Sequence, residues 1–488
     1  MKRIYPILFC SLILSCACGE TDIASDTVFQ ETTVSPAETE DELFVADELP
    51  DDLNLDGAKI RICTQSNRVN QFYIEESSGD IVDDAIYHAH LSVEERLNVD
   101  IEHIAYAYES WNDRTTYMNQ VASSILADTD DFDILATTSF MADFFLQGYL
   151  SDISDAPYLD FDKPWWSQDM TEQITVNGVL PFITGDISIG NIKSMMCMFY
   201  NKQLHDELQL DDMYELVYSG KWTLDKLNEM AASAYADLNG DTYVDESDQL
   251  GLVLEGSNYA TGFFDAVEMT IFNKTGDSFE FAFDNEHNTS AVQKIVDIMN
   301  NTPGAIQRGA DDSTNYLAED ALFRNGNVLF TGGWMSCAES YRELTFDYGI
   351  IPYPKYDENQ DGYHTTILNT YTNFALPVNC RQIDASCAVL EALSSEFYRT
   401  VTPAYFETAL KVKYSRDDES SQMFDLLRES ANYSFGMVFT NALDLVDTNF
   451  KNAVNQKNEN WSSLIASKKD KTLSLLEDIL AIYEEMST

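Results

Sequence analysis

The stretch 323–355, FRNGNVLFTGGWMSCAESYRELTFDYGIIPYPK, carries the most ordered run of structural signals in the chain. It predicts a strand at 328–330, a turn at Gly332-Gly333-Trp334, a helix at 336–344 and a strand at 348–355 that two prolines end. This order places a large aromatic side chain at the carboxyl end of a strand, where open α/β sheets bind ligands. Two glycines would let a ligand approach the backbone closely beside the indole. The alternative is a core tryptophan after a tight turn, because most aromatic side chains are packing residues.

Length and charge limit the possible classes of protein. A chain of 488 residues is too long for one ordinary core and predicts at least two lobes. Its formal charge is −54, from 83 acidic and 29 basic residues. Nucleic acids and anionic membrane surfaces are therefore excluded as partners, because binding phosphate requires a basic surface.

The first eighteen residues have the pattern of an export signal. A basic start is followed by an apolar run at 4–14 and by Ser15-Cys16-Ala17-Cys18, and the run is too short to span a bilayer. This segment resembles a bacterial lipoprotein signal, which implies lipidation of Cys18, with Cys16 as the competing site. A secretory signal that is cleaved without lipidation is the alternative.

Residues 19–56 are rich in Glu, Asp, Thr and Ser and contain few large apolar side chains. Such a segment cannot bury enough apolar surface to offset the entropy that ordering costs. We therefore predict an acidic disordered tether between the membrane and the body.

The body begins with alternating strand and helix patterns. Strands are predicted at 59–64, 99–104 and 132–136, and helices at 83–97 and 113–126. Strand and helix in alternation indicate βαβ units and a mainly parallel sheet. The loops after the strands, which contain Gln65 and Ser139, should face a ligand crevice. Their amide and hydroxyl groups suit a neutral, polyhydroxylated solute.

The stretch 323–355 is similar to the matching segment of the extracellular solute-binding proteins of bacterial ABC importers, the sugar-binding group in particular. Two further segments resemble the same family, Phe199-Tyr200-Asn201-Lys202 and the run 366–377. The resemblance covers about 59–486. It implies an α/β fold of two lobes, each a mainly parallel sheet flanked by helices, with several crossings between the lobes and with C-terminal helices that brace both.

The resemblance also implies a division of the chain. The signal peptide is 1–18 and the tether 19–56, lobe 1 comprises 57–190 and 360–432, and lobe 2 comprises 191–359 and 433–488. The first crossing is expected near 189–193 and the second near 365–372.

Ligand contacts are expected from aromatic rings that stack on sugar faces and from polar groups that bond hydroxyls. Trp334 is the first candidate for stacking, followed by Trp165 and Trp166. The polar candidates are Asp186, Gln65, Ser139 and Asn369. Asp186 follows a glycine, so an ordinary turn residue is an equal alternative for it.

A second pattern lies at 237–248, DLNGDTYVDESD. Its oxygen-bearing side chains, with the carbonyl of residue 7, match the twelve-residue calcium loop. The predicted ligands are Asp237, Asn239, Asp241, Tyr243, Asp245 and Asp248. Two positions depart from the pattern: Thr242 replaces the usual glycine and Asp248 the usual glutamate. An acidic turn without a metal is the alternative.

Other chemistry is weakly represented. The five cysteines after the signal show no zinc spacing and predict buried thiols without an obligatory disulfide. His88 and His90 lie on different faces of a predicted helix, which favours a surface position over a metal site. No nucleophile, metalloprotease or phosphate-loop motif occurs.

The sequence therefore predicts a lipid-anchored, monomeric solute-binding protein, not an enzyme and without an organic cofactor. It would capture a carbohydrate, in particular an oligosaccharide, between two lobes outside the cytoplasm and deliver it to ABC permease subunits. Two alternatives stay open, a secreted glycan-active enzyme and a sensory or adhesive lipoprotein without transport.

Overall fold

The structure is a computed structural model that describes residues 45–254, 258–307, 321–414 and 418–487. The predicted signal peptide, Cys18 and the first part of the predicted tether lie outside the described residues. None of the described helices is long and apolar enough to cross a membrane.

Strands and helices alternate along most of the chain. The strands are β1 Ala58–Gln65, β2 Val99–Tyr106, β3 Ile134–Thr138, β4 Met196–Asn201, β5 Leu250–Leu254, β6 Phe272–Thr275, β7 Ser278–Phe281, β8 Ala305–Gln307, β9 Val328–Trp334, β10 Tyr348–Ile351, β11 Thr365–Thr366, β12 Thr372–Ala375 and β13 Ala431–Asn432. The helices are α1 Ile81–Leu97, α2 Arg114–Leu126, α3 Ser139–Phe145, α4 Gln168–Ile174, α5 Gly190–Lys193, α6 Lys202–Glu207, α7 Met213–Tyr218, α8 Leu224–Ala234, α9 Phe263–Ala266, α10 Glu286–Asn301, α11 Ala321–Arg324, α12 Cys337–Tyr341, α13 Ile383–Glu396, α14 Asp418–Glu429, α15 Phe435–Val438, α16 Thr448–Asn455 and α17 Trp461–Met486. Two π-helical segments, Phe397–Val401 and Ala404–Tyr414, lie between α13 and α14.

Helix α1 illustrates how the local sequence sets these elements. The Asp80 carboxylate accepts a hydrogen bond from the Val82 N–H at 2.9 Å and caps the start of the helix. Asn98 ends it in the left-handed conformation, with φ of 49°. The face that packs on the sheet repeats at helical spacing: Val82, Ile86, Ala89, Val93 and Leu97.

The first lobe is built on a four-stranded sheet in the order β12-β3-β1-β2. Strand β1 runs parallel to β2 and β3, and β12 runs antiparallel to β3. Strand β3 is buried along its whole length, as expected for a strand covered by helices on both faces. The predicted βαβ units of this lobe are confirmed.

The second lobe contains a five-stranded sheet in the order β10-β4-β9-β5-β8. Strand β5 is parallel to β8 and β9, whereas β4 is antiparallel to β9 and β10. Strands β10, β9, β5 and β8 therefore run in one direction and only β4, which enters the lobe from the first crossing, runs against them, so the sheet is mainly parallel as predicted.

Two segments join the sheets side by side. The first crossing contains α5 and leads through Ser194 into β4, and the second runs from β11 to β12. The Leu368 N–H donates to the Ser194 carbonyl at 2.9 Å, and the hydroxyls of Ser194 and Thr370 are 2.9 Å apart. These two segments are the ones for which the resemblance implies crossings, near 189–193 and 365–372.

The C-terminal part of the chain contacts both lobes. Helix α14 packs on β10 and α7 of the second lobe. The Tyr218 hydroxyl donates to the Gln422 side chain at 2.7 Å, and the hydroxyls of Tyr214 and Ser420 are 2.9 Å apart. In α17, Trp461 packs against Phe283 of the second lobe, while the Tyr483 hydroxyl donates to the Ile174 carbonyl of the first lobe at 2.6 Å. The segments 360–432 and 433–488 therefore do not divide at the predicted lobe boundary, because their helices brace both lobes.

The predicted tether is shorter at its C-terminal end than its composition suggests. Asp47 pairs with Arg96 at 2.6 Å and accepts a hydrogen bond from the Ser395 hydroxyl at 2.8 Å. Leu49 is 5% exposed and packs into the core. Residues 45–56 are thus bound to the first lobe through an ion pair and one buried leucine, which an acidic composition does not reveal.

Candidate functional site

Trp334 is the last residue of β9, and the Gly-Gly-Trp segment is strand and not the predicted turn. Gly333 and Trp334 pair with Cys197 and Met196 of β4. The glycines are needed for packing, because a Cβ atom at Gly332 would lie 2.2 Å from the Tyr353 hydroxyl oxygen. They therefore bring an aromatic ring close to the strand and do not form a flexible approach to a ligand.

The Trp334 ring is half-buried at the carboxyl end of β9. It makes an edge contact with the ring of Tyr259, with centroids 5.5 Å apart and planes at 80°. The next residue, Met335, donates its N–H to the Met195 carbonyl at 2.8 Å, so the tryptophan lies beside the first crossing. These contacts place the indole at the end of β9 beside the first crossing, and its stacking on a ligand stays a prediction.

The second crossing meets the first lobe at the carboxyl end of β3. The Phe140 N–H donates to the Asn369 carbonyl at 3.1 Å, and the Ser139 N–H donates to the Tyr371 carbonyl at 2.8 Å. Asn369 is half-buried, whereas Ser139 is fully buried. Asn369 is thus the better placed of these two predicted ligand contacts.

Gln65 is engaged within the first lobe. Its side-chain oxygen accepts hydrogen bonds from the N–H and the hydroxyl of Thr138, at 2.9 and 2.8 Å, and the residue is 1% exposed. The amide ties the ends of β1 and β3 together. The prediction that it bonds a ligand is corrected by this arrangement, because its acceptor is already used inside the protein.

Trp165 and Trp166 are core residues. Trp165 is 0% exposed and Trp166 is 2% exposed, and the Trp166 Nε1–H donates to Glu391 Oε2 at 2.9 Å. Burial raises the pKa of Glu391 to about 7 despite this hydrogen bond. Neither ring can stack on a sugar in this position, so the structure corrects both predictions.

Asp186 faces a cation of the bracing segment. Its Oδ2 lies 3.5 Å from Arg428 Nη2, and its side chain is 18% exposed. Burial raises the pKa of this carboxyl to about 6, while the charge of Arg428 and the hydroxyl of Thr402 lower it. Asp186 therefore has a charged neighbour, although its Oδ2 accepts no hydrogen bond from the described residues, and its role as a ligand contact stays a prediction.

A second aromatic surface lies on the first lobe, which the sequence reasoning missed. Trp111 follows β2, is 49% exposed, and contacts the Phe140 ring at a centroid distance of 4.7 Å. The Arg114 guanidinium lies 4.4 Å from the centre of the indole. An isolated tryptophan in the polar run Glu109–Asp113, just after a predicted strand, was the available signal.

We call the following residues the cleft site: Trp111 and Phe140 from lobe 1, Asn369 from the second crossing, and Trp334 from lobe 2, whose ring rests on the buried Tyr259. Contacts connect them through the loop after β3 and the paired crossings. A separate surface groove of about 470 Å³ lies between α4 and the β6–β7 hairpin. None of the predicted ligand contacts lines that groove.

The acidic loop 237–248 turns its oxygen atoms toward its own backbone. Asp237 accepts from the N–H groups of Gly240 and Thr242, and Asp245 accepts from Ser247. Asp248 is 0% exposed and accepts from Leu238. Among the described residues, no group of three or more His, Cys, Asp or Glu side chains is arranged to hold a metal ion. Binding calcium would require these carboxylates to exchange backbone N–H donors for the ion.

The cysteines and the two histidines of α1 differ in their exposure. Cys63, Cys197, Cys337 and Cys387 are buried, whereas Cys380 is half-buried. His90 is buried, and its Nε2–H donates to the Phe72 carbonyl at 2.7 Å, so only His88 has the surface position predicted for both histidines. The buried position of His90 reflects the side of α1 that faces β2.

Several solved structures share this architecture. Structures with the same fold include an ABC substrate-binding protein from Listeria monocytogenes in complex with cycloalternan, with 14% identity, a TM-score of 0.53, and coverage of 87% of this chain and 99% of that chain. The maltose/maltodextrin-binding domain from Bdellovibrio bacteriovorus bound to maltotriose has 14% identity, a TM-score of 0.52, and coverage of 86% and 100%. A sugar transporter from Rhizobium etli in an open conformation has 14% identity, a TM-score of 0.54, and coverage of 87% and 100%. These similarities confirm the two-lobe fold class.

The sequence gives the family independently of the fold. No curated protein sequence matches the chain. The profile of the bacterial extracellular solute-binding proteins matches residues 94–389, more than half of the chain. This is a family of binding proteins, which confirms the prediction that the protein is not an enzyme and removes the glycan-active enzyme as an alternative. The chain belongs to the bacterial extracellular solute-binding proteins.

Proposed function

We propose that the protein captures an oligosaccharide in the cleft site and delivers it to the permease subunits of an ABC importer. The observation that carries this proposal is the presence of partly exposed aromatic rings on both lobes, Trp111 with Phe140 on lobe 1 and Trp334 on lobe 2. Sugar rings have apolar faces that pack on such side chains, while their hydroxyls need polar partners.

A ligand between these surfaces would contact both lobes at once. It would therefore stabilise the closed arrangement by the difference between its contact energies in the closed and open arrangements. Asn369 and Thr370 are half-buried residues of the second crossing that would supply polar partners for sugar hydroxyls. The Listeria and Bdellovibrio proteins of the same fold were solved with cycloalternan and maltotriose, which supports a glucan as the first class to test.

A thermal-shift panel tests the proposal directly. It should contain linear and cyclic malto-oligosaccharides, other oligosaccharides, and peptides and polyamines as non-carbohydrate controls. A ligand at about one hundred times its dissociation constant adds about 2.7 kcal/mol to the free energy of unfolding. If no carbohydrate raises the melting temperature while a peptide or a polyamine does, the proposed ligand class is wrong.

We also propose that a lipid on Cys18 anchors the protein and that the acidic segment after it tethers the body to the membrane. The Ser15-Cys16-Ala17-Cys18 sequence supports this reading. In a bacterial host, wild type should fractionate with membranes and Cys18→Ser should be released, while Cys16→Ser should remain bound. Release by Cys16→Ser alone would move the lipidation site to that residue.

Calcium at 237–248 is a third proposal, supported by the order of oxygen-bearing residues in the sequence. Titration calorimetry with calcium chloride should give one binding event that Asp241→Asn with Asp245→Asn removes. The matched control carries Asp357→Asn with Asp361→Asn, in the acidic loop that has only the first half of the pattern. Absence of binding heat in wild type, with an unchanged melting temperature in chelator, would leave an acidic turn without a metal.

A further inference from the structure

Residues 431–442, which we call the strap, run between the two lobes and contact a carboxylate of each. The Tyr433 N–H donates to Asp169 Oδ2 at 2.7 Å, and Asp169 lies in α4 of the first lobe. The Asn432 side-chain amide donates to Asp265 Oδ1 at 2.8 Å, and Asp265 lies in α9 after β5 of the second lobe. Two consecutive residues of the strap therefore bind one carboxylate from each lobe.

The strap is held at other points as well. Phe435 packs its ring 4.4 Å from the ring of Phe279 in the β6–β7 hairpin of the second lobe. At the far end, the Ala442 N–H and the Asn441 side-chain amide donate to Asp143 in α3 of the first lobe, at 2.6 and 2.9 Å. A change in the spacing of the lobes must therefore move or break contacts of the strap.

Asp169 and Asp265 are carboxyl groups of opposite lobes that are bonded to neighbouring residues of the strap. Burial is the main cause that raises the pKa of Asp265 to about 6, against hydrogen bonds from Thr366 and Asn432, and the charge of Asp169 is the last of the contributions. Burial also raises the pKa of Asp169, against the hydrogen bond from Tyr433. Among the described residues, the other titratable or charged groups acting on the pair are His364 on Asp265, Glu172 on Asp169, and Asp186 on Tyr433, with Arg428 opposite Asp186.

We propose that Asp169 and Asp265, joined through Asn432 and Tyr433, form a latch that sets the spacing of the two lobes. They are positioning residues, since their partners lie in the strap and neither belongs to the cleft site. The consequence for ligand affinity rests on the proposed function, because closure of the lobes on a solute uses the same spacing.

The latch responds to protons in a definite direction. When it is ionised, the Asp265 carboxylate accepts a stronger hydrogen bond from the Asn432 amide than a neutral carboxyl group would. The proton that Asp265 takes up as the pH falls through about 6 therefore weakens this bond and loosens the latch. The Asp265→Asn variant keeps the side-chain oxygen that accepts from Asn432 but cannot ionise, so it should behave as wild type does at pH 5.

Distance distributions between spin labels, measured without ligand, test the latch. One label is placed at Leu126→Cys in lobe 1 and one at Glu207→Cys in lobe 2, both on exposed residues, in a Cys380→Ser background that removes the half-buried thiol. Wild type should shift its distribution between pH 7.5 and pH 5. Asp265→Asn should give the pH 5 distribution at both values, and Asp169→Asn should reduce the shift through the other lobe.

The matched control is Glu391→Gln. This carboxyl also has a raised pKa, about 7, but its bonded partners Asp160 and Trp166 both lie in the first lobe. Its variant should keep the wild-type shift. A wild-type distribution that does not change with pH, or a shift that survives in both Asp265→Asn and Asp169→Asn, would overturn the latch. Because no ligand is present, a failed carbohydrate panel leaves this result interpretable.

Discussion

At the scale of single residues, two indoles on opposite lobes define the cleft site. Trp334 could be singled out from the sequence because it stands in a long run of ordered signals. Trp165 and Trp166 could not be separated from it by composition, although the structure buries both. The difference lies in their neighbours. The Trp165 carbonyl packs so closely on Gly185 that a Cβ atom at Gly185 would lie 2.0 Å from the carbonyl oxygen. Such packing is a property of three-dimensional contacts, and no local pattern shows it.

Removing either indole should weaken carbohydrate binding. Trp334→Ala and Trp111→Ala should each lower oligosaccharide affinity by about 1–2 kcal/mol, or roughly 5- to 30-fold, because each removes a stacking surface. Titration calorimetry with the best ligand of the panel measures the change. Tyr218→Ala, which truncates an aromatic side chain that is 53% exposed in α7, should bind as wild type does. Full affinity in Trp334→Ala would remove that residue from the site.

His103 lowers the stability of the folded state in a way that the sequence does not reveal. Its ring stacks on Tyr73 with centroids 3.9 Å apart, and both ring nitrogens are buried without a hydrogen-bond partner. Burial lowers the pKa of His103 well below its ordinary value of 6.5, and the nearby His90 lowers it further. Below pH 6.5 the unfolded chain takes up a proton that the folded chain refuses, so this residue reduces stability as the pH falls.

His103→Phe should therefore raise the melting temperature. The gain should be larger at pH 5 than at pH 8, because at pH 8 only the cost of the unbonded nitrogens is removed, about 1–3 kcal/mol. Thermal unfolding followed by circular dichroism at both values measures it. His88→Gln, at an exposed position of α1, provides the control. An equal gain at both values would contradict the assigned protonation effect.

At the scale of elements, β9 shows where local rules misled the prediction. Two glycines before a tryptophan are typical of a turn, yet the segment continues the strand to Trp334. The reason is the shape of the neighbouring layer, since the Tyr353 hydroxyl crosses over Gly332 to donate to the Tyr259 carbonyl at 2.7 Å. By contrast, α1, α2 and the strands of the first lobe could be predicted closely, because their periodicity and caps are local.

Gly332→Ala should lower both stability and ligand affinity. The added methyl group would displace the buried Tyr353 ring, at a cost of about 1–3 kcal/mol in the free energy of unfolding. Tyr353 and Tyr259 would shift together, and Tyr259 contacts Trp334. Chemical denaturation and calorimetry measure the two effects. Gly362→Ala, where a Cβ meets nothing within 4 Å, should change neither. Wild-type stability in Gly332→Ala would show that the aromatic layer yields without cost.

At the scale of the whole molecule, charge works against compactness. The 83 acidic residues exceed the 29 basic residues by 54, so most carboxylates have no cation to pair with. Self-repulsion of this kind destabilises a folded chain and is weakened by salt. The composition alone predicts this property, whereas it could not show that residues 45–56 are anchored by the Asp47 pair with Arg96.

Raising sodium chloride from 10 to 200 mM should increase the melting temperature by about 2 °C or more. The measurement is thermal unfolding in chelator, so that divalent ions do not contribute. Choline chloride at equal ionic strength should give the same increase, since screening does not depend on the cation. An unchanged or lower melting temperature would show that the repulsion is already balanced by the fold.

The paired crossings also limit how the two lobes can move. Ser194 is bonded to Leu368 and Thr370, so neither crossing can slide past the other without breaking these bonds. Two segments fixed side by side can still bend together, which leaves one easy rotation about an axis across the pair. Helix α17 contacts both lobes, with Tyr483 bonded to Ile174 of the first lobe and Trp461 packed on Phe283 of the second, so this rotation must also change contacts of α17. The lobes can therefore rotate about the crossings as a hinge, but they cannot slide past each other.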